Sequence, residues 1–260
     1  MPTHNPQLKI RCLQIIFFVT LSHSLFGWGF HSHKLINRHA VYLLPNNSLF
    51  GFFKSNIDFL TKNAVNADKR RYAQEGEACR HYIDLDSYAA MGFKQLPKYY
   101  SEAQKSIPED SLKKHGIVPW HIFQVQKNLT KAMTEMNADL ILRLAADLGH
   151  YVADANVPLH TTHNYDGQLT NQKGIHGLWE TRIPELYANH YDYLIGKAEF
   201  IKDVQSLSWK AVNHSHAAVD TVLSFESKLS KKFKEDEKYT FAERNHTTIR
   251  VYSREFVEKY

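Results

Sequence analysis

Cysteine is nearly absent from this 260-residue chain, which has only Cys12 and Cys79. If Cys12 leaves with an N-terminal leader, one thiol remains and no internal disulfide can form. Cysteine usage therefore neither marks nor excludes an oxidising compartment. Long apolar runs are scarce too. The one conspicuous run, LQIIFFVTL at residues 13–21, is short of the roughly 20 residues a membrane helix needs, and no other segment comes closer. Charge of one sign is not in excess. The formal net charge is +5, and it falls to +3 without residues 1–27, which contribute Lys9 and Arg11. That is too little to argue for nucleic-acid binding by bulk charge. Low-complexity linkers, internal repeats and a strand–turn series are all missing, which leaves a single domain of the all-α class as the expectation.

Apolar residues make up 43% of the chain, enough for a sizeable core, and histidine is abundant, with 16 residues. At the N-terminus, Lys9 and Arg11 precede the apolar run, and SHSLFG follows it. This is the layout of a secretory leader over residues 1–27, with cleavage after Gly27 and a mature domain over residues 28–260 beginning at Trp28. An extracytoplasmic location follows, either periplasmic or secreted.

Apolar spacing predicts helices over 33–44, 50–64, 97–115, 120–136, 137–156, from 176 onward and over 204–233. Residues 66–77 read as a loop or short helix and 80–88 as irregular or extended. The polar segment 161–174 reads as a loop. The last residues, RVYSREFVEKY, read as helix that still runs at Tyr260 without a capping residue, so the chain is expected to continue beyond it.

The chemistry concentrates in residues 149–180. His150/Asp154 and His176/Glu180 are i,i+4 pairs, each on one face of a helix. Pro158 breaks the first helix, and His160 follows the break. Nitrogen and carboxylate donors in this pattern suit zinc. Phosphodiester hydrolysis at neutral pH needs an activated water and cations on the phosphoryl oxygens, which two or three zinc ions supply. Upstream, His33, Asp68 and His81 are further candidates.

These residues resemble the superfamily of bacterial zinc-dependent phospholipase C and fungal-type zinc single-strand nucleases. The most specific elements are H-x3-D-x5-H (His150, Asp154, His160), the later H-x3-E (His176, Glu180), and Trp28 at the cleavage point with His33 shortly after it. The resemblance implies a compact multi-helix domain with three zinc ions in a cleft. One ion would be held by the amino group and carbonyl of Trp28, by His33 and by Asp154. A second would be held by Asp68, His81, His150 and the bridging Asp154, and a third by His160, His176 and Glu180. It implies a zinc-bridging hydroxide attacking phosphorus, with Asp68 orienting or deprotonating the water. The substrate would be a phospholipid head group or, alternatively, single-stranded nucleic acid. No obligate protein partner is expected. Cleavage before Trp28 would itself complete the site, because an acylated nitrogen ligates poorly.

Three features lean toward the phospholipase branch: Glu180 as the final acid, the short loop before His176, and the lack of paired cysteines. Against choline selectivity, His31 stands where those enzymes carry a glutamate. His163, Asn164 and Tyr165 in the loop are candidates for substrate contact. Asp84 is expected to support His81 from behind, and His121 to be structural. A secreted, non-catalytic metal-binding protein is the remaining alternative.

Overall fold

The helix Ala138–Ala155, the longest stretch of regular structure among the described residues, shows why the chain folds as it does. Asn137 caps its start by accepting a hydrogen bond from the Leu140 amide at 3.1 Å, and Asp139 lies in the positive first turn. Ile141, Leu142, Ala146, His150, Tyr151 and Asp154 are buried along its inner side. The apolar residues drive that face inward and carry the two polar ones with them.

The structure, a computed structural model, describes residues 29–45, 48–93, 95–244 and 247–260. The expected leader and Trp28 lie outside the described residues. In chain order the helices are α1 (Phe30–Leu43), α2 (Ser48–Ser55), α3 (Ile57–Asn63), α4 (Asn66–Arg70), α5 (Leu85–Ala90), α6 (Tyr100–Ser106) and α7 (Glu109–His115). There follow α8 (Val118–Thr134), α9 (Ala138–Ala155), α10 (Ile175–Gly177), α11 (Ile183–Tyr187), α12 (Val204–Ala217), α13 (Val219–Ser230), α14 (Glu235–Lys238) and, after a hairpin, α15 (Arg254–Lys259). Short 3-10 turns at Ala78–Arg80 and Pro158–Thr161 and a π-helical turn at Leu178–Arg182 complete the architecture around the site. The chain is an almost entirely helical single domain, as its class was read. Among the described residues no helix is long and apolar enough to cross a membrane.

Three apolar clusters hold it together. Val41, Leu60, Leu129 and Ile141 join α1, α3, α8 and α9. Ile83, Tyr88, Leu112 and Trp120 fill the space under α8, where Trp120 meets Trp209 edge-on at 5.1 Å. Leu159, Ile175, Leu178, Val222 and Phe256 pack the site's far side against the C-terminal segment. Each such fully buried side chain contributes about 1.5–3 kcal/mol.

Several element boundaries differ from expectation. The helix expected over 50–64 divides at Asn56, whose side chain turns back to the Phe52 carbonyl at 2.9 Å. The one expected over 97–115 divides at Ile107, because Pro108 cannot continue the amide ladder. The pattern over 204–233 breaks at Ala218. The larger correction is at the C-terminus. Arg250, Val251 and Tyr252 belong to a strand, β2 (Thr247–Tyr252), paired antiparallel with β1 (Tyr239–Arg244). The β-branched residues Thr247, Thr248, Ile249 and Val251 favour that conformation.

Candidate metal centre

The inner face of α9 presents His150 and Asp154, neither of them exposed at all. α1 lies against it so closely that a Cβ on Gly149 would fall 2.0 Å from Asn37 Oδ1. Asn37 in turn donates to the Ala146 carbonyl at 3.0 Å. That close approach brings His33, in the first turn of α1, to stack on His150 at 3.8 Å between ring centroids. Asp68 comes from α4 and His81 from just beyond the 3-10 turn Ala78–Arg80. His160 rides on the second 3-10 turn, which Pro158 initiates. Gly174 adopts φ +102°, a conformation open to glycine, and turns the chain into α10 with His176. Glu180 lies on the π-helical turn.

These residues converge as three groups of potential ligands: His33, Asp68 and His150; His81, His150 and Asp154; and His160, His176 and Glu180. Asp154 lies between them. Its Oδ1 is 3.5 Å from His33 Nε2, while its Oδ2 is 2.9 Å from His81 Nδ1 and 3.2 Å from His150 Nε2. Asp68 is 3.7–3.9 Å from the same three imidazoles. Glu180 spans its own pair, with His160 Nε2 at 3.0 Å and His176 Nε2 at 2.9 Å.

The donor set fits metal ions. Both nitrogens of His33, both oxygens of Asp68 and of Glu180, and Asp154 Oδ1 are buried without a hydrogen-bond partner. Leaving so many polar atoms orphaned in one place is costly unless a cation meets them. The rear nitrogens, by contrast, are satisfied. His150, His160 and His176 direct Nδ1 to the carbonyls of Ala64, His81 and Tyr165 at 2.8, 2.7 and 3.0 Å. This fixes the tautomer that frees Nε2.

The electrostatics agree. Burial would raise the Asp154 carboxyl, but His150 and His160 override it and hold the group well below the usual carboxylate range. Burial and the neighbouring Asp154 push Asp68 upward. His160 rises to about 9 despite its burial, because Glu180 and Asp154 face it. Negative charge facing a buried imidazole attracts a metal cation as well as a proton, and a bound metal would displace that proton.

A cleft of about 290 Å³ opens onto the groups at His81, His160 and His176. Arg71, Tyr82, Asp84, Lys114, His163 and Tyr165 form its other walls. His163 and Tyr165 thus line the cleft. Asn164 does not. It is buried and holds the loop together, donating to Thr170 Oγ1 at 3.0 Å and accepting from the Leu169 amide at 2.8 Å. Asp84 faces His115 and His163, at 3.6 and 3.8 Å, and the carboxylate behind His81 is Glu77. Glu77, Arg71 and Lys114 were missed because charged residues in a charged stretch read as solvated surface.

His121 packs edge-on against the Tyr151 ring at 4.5 Å, and burial with nearby Arg80 lowers it to about 3. The folded protein keeps this imidazole neutral, whereas the unfolded chain protonates it below the ordinary value of 6.5. Stability present above that value is therefore lost as pH falls toward 3. His121→Gln is expected to flatten the acid limb of a melting-temperature profile of the metal-free protein. An unchanged slope would remove His121 from that role.

The chain is thus a helical protein with three clustered His/carboxylate groups capable of coordinating metal ions. No protein-family model, curated protein or solved structure matches it.

Proposed function

We propose that this protein is a zinc-dependent phosphodiester hydrolase of phospholipase C type. The observation that carries the reading is the cleft, because three of its walls, His81, His160 and His176, belong to the ligand groups. A purely structural zinc site is closed, whereas this one opens onto a space suited to a phosphoryl group. The mixed imidazole and carboxylate donors suit zinc.

In this reading Asp68, His81, His150 and Asp154 hold one ion, and His160, His176 and Glu180 hold another. His33, Asp154 and the amino group and carbonyl of Trp28 hold the third. Support for Trp28 comes from its neighbour, since the Gly29 amide donates to the Glu180 carbonyl at 2.9 Å. When bound, the ions supply an activated water and positive charge at the phosphoryl oxygens. Asp68, whose carboxylate lies 3.7–3.9 Å from His33, His81 and His150, would orient the attacking water and, in its ionised form, accept the proton at a carboxylate oxygen. Arg71 and Lys114 bind the substrate's anionic oxygens from the cleft wall, and Tyr165 and His163 flank its organic part. Cleavage of the leader before Trp28, outside the cytoplasm, would complete the ligand set.

A second reading, single-strand nuclease, is favoured by the cleft's pairing of Tyr82 and Tyr165 with Arg71 and Lys114. Aromatic platforms beside cations suit unpaired bases and their phosphates. The zinc-loaded protein starting at Trp28 is expected to cleave an aryl phosphodiester, to lose that activity to a chelator, and to prefer phospholipid vesicles over single-stranded DNA. A zinc-loaded but inert protein sinks the hydrolase reading, leaving a metal-binding protein. Preference for DNA replaces the lead with the nuclease. In a parallel arm, retaining residues 1–27 is expected to lower the zinc content, and equal content would strike Trp28 from the ligand set.

A further inference from the structure

Behind His81 lies a carboxylate that no step above uses. Glu77 is fully buried, one turn before His81 in the chain. A lone carboxylate there would be strongly penalised, but this one is met from several sides. Arg80 Nη1 donates to its Oε2 at 2.6 Å. Arg70 Nη2 donates to its Oε1 at 3.3 Å, and the Tyr151 hydroxyl makes a short bond to the same oxygen. The Arg70 guanidinium also grips Asp147 on α9, at 3.2 and 2.9 Å.

His81 is set in the reverse sense to its neighbours. His150, His160 and His176 turn Nδ1 to the rear, onto backbone carbonyls. His81 turns Nδ1 forward, 2.9 Å from Asp154 Oδ2 and 3.0 Å from His150 Nε2. Its rear nitrogen, Nε2, is buried without a hydrogen-bond partner and lies 3.7 Å from Glu77 Oε1. That separation exceeds a hydrogen bond, so the carboxylate acts on the ring through its field. Negative charge behind a ligating imidazole favours the proton on the rear nitrogen and strengthens the forward one as a donor.

We propose that Glu77 is a positioning residue that selects the reversed presentation of His81, with Nε2 protonated and Nδ1 free for a cation. Arg70, Arg80 and Tyr151 hold the carboxylate in place. Because Arg70 also grips Asp147, one turn below His150 and Tyr151, the same guanidinium registers His81 against the ligand face of α9. This rests on the metal-centre reading and not on the identity of the substrate.

The test reads metal and protons rather than turnover. In the zinc-loaded wild type, nitrogen-15 NMR of the histidine rings is expected to show His81 protonated on Nε2, and protonation on Nδ1 overturns the proposal. In competition with a chelator, Glu77→Gln is expected to weaken one bound zinc ion by about 10–100-fold. Arg80→Gln removes the 2.6 Å ion pair but keeps the carboxylate, and it is expected to weaken zinc binding far less. Equal losses in the two variants would mean a merely structural role and overturn the proposal. Should Glu77→Gln fail to fold, the wild-type ring protonation still decides. A wild type that binds no zinc overturns the metal-centre reading and this inference together. One that binds zinc but cleaves no phosphodiester overturns the hydrolase reading alone.

Discussion

Asp154→Asn is expected to lower phosphodiesterase kcat/KM by about 10³-fold or more and to leave only the ion held by His160, His176 and Glu180. The reason is the division of labour between its oxygens. Oδ1 looks toward His33 and Oδ2 toward His81 and His150, so in the proposed centre each oxygen would serve a different ion. An amide keeps the shape, but it offers one acceptor oxygen and puts a poorly ligating nitrogen at the other position. In the proposed hydrolase each ion would contribute several kcal/mol of charge stabilisation in the transition state, and about 4 kcal/mol corresponds to the stated loss. Exposed Asp139, at the opposite end of α9, provides the control, since Asp139→Asn leaves every ligand in place. Zinc counting by elemental mass spectrometry alongside kinetics decides the matter. A variant with full zinc and activity within tenfold of the wild type would show that Asp154 does not bridge.

Chelation should produce the second large effect, a fall in melting temperature on the order of 20 °C. A ligand that binds only the folded state at about 100 times its Kd stabilises by about 2.7 kcal/mol. Three such sites give about 8 kcal/mol, and a domain of this size shifts by roughly 2–4 °C per kcal/mol. The orphaned atoms of His33, Asp68 and Glu180 are the structural origin, because removing the ions leaves them buried without compensation. Scanning calorimetry before and after dialysis against a chelator measures it. A melting temperature that moves less than about 2 °C, with the zinc demonstrably gone, would mean that the ions do not couple to folding.

What the sequence made legible follows the range of the forces involved. His150 and Asp154 are one turn apart on a helix whose apolar stripe is plain from Ile141, Leu148 and Tyr151, so local spacing was enough to pair them. His176 and Glu180 share that spacing, but the helix does not run through them unbroken, since α10 passes into a π-helical turn at Leu178. The convergence of His33, Asp68 and His81 on α9 is tertiary. Nothing in their own neighbourhoods announces it: they stood out only as further candidate donors upstream, and their assignment to particular ions came from the family resemblance. Glu77 escaped notice because its partners, Arg70, Arg80 and Tyr151, come from three separate segments. The hairpin escaped because REFVEK, helical in both reading and structure, drew the preceding β-branched residues into one helical pattern.

The order of the ligands along the chain has a mechanical consequence. The first described one, His33, and the last, Glu180, bracket most of the fold, and their segments meet again where Gly29 and Ser32 bond to the Glu180 carbonyl. Ions shared among these residues would act as cross-links across long loops, the kind that most restrict an unfolded chain. Among the described residues the single cysteine, Cys79, is unpaired, so coordination bonds would do the stapling that disulfides do elsewhere. Such a protein would shrug off reductants and fall to metal sequestration. In a protease-rich environment its lifetime would be set by the free zinc around it.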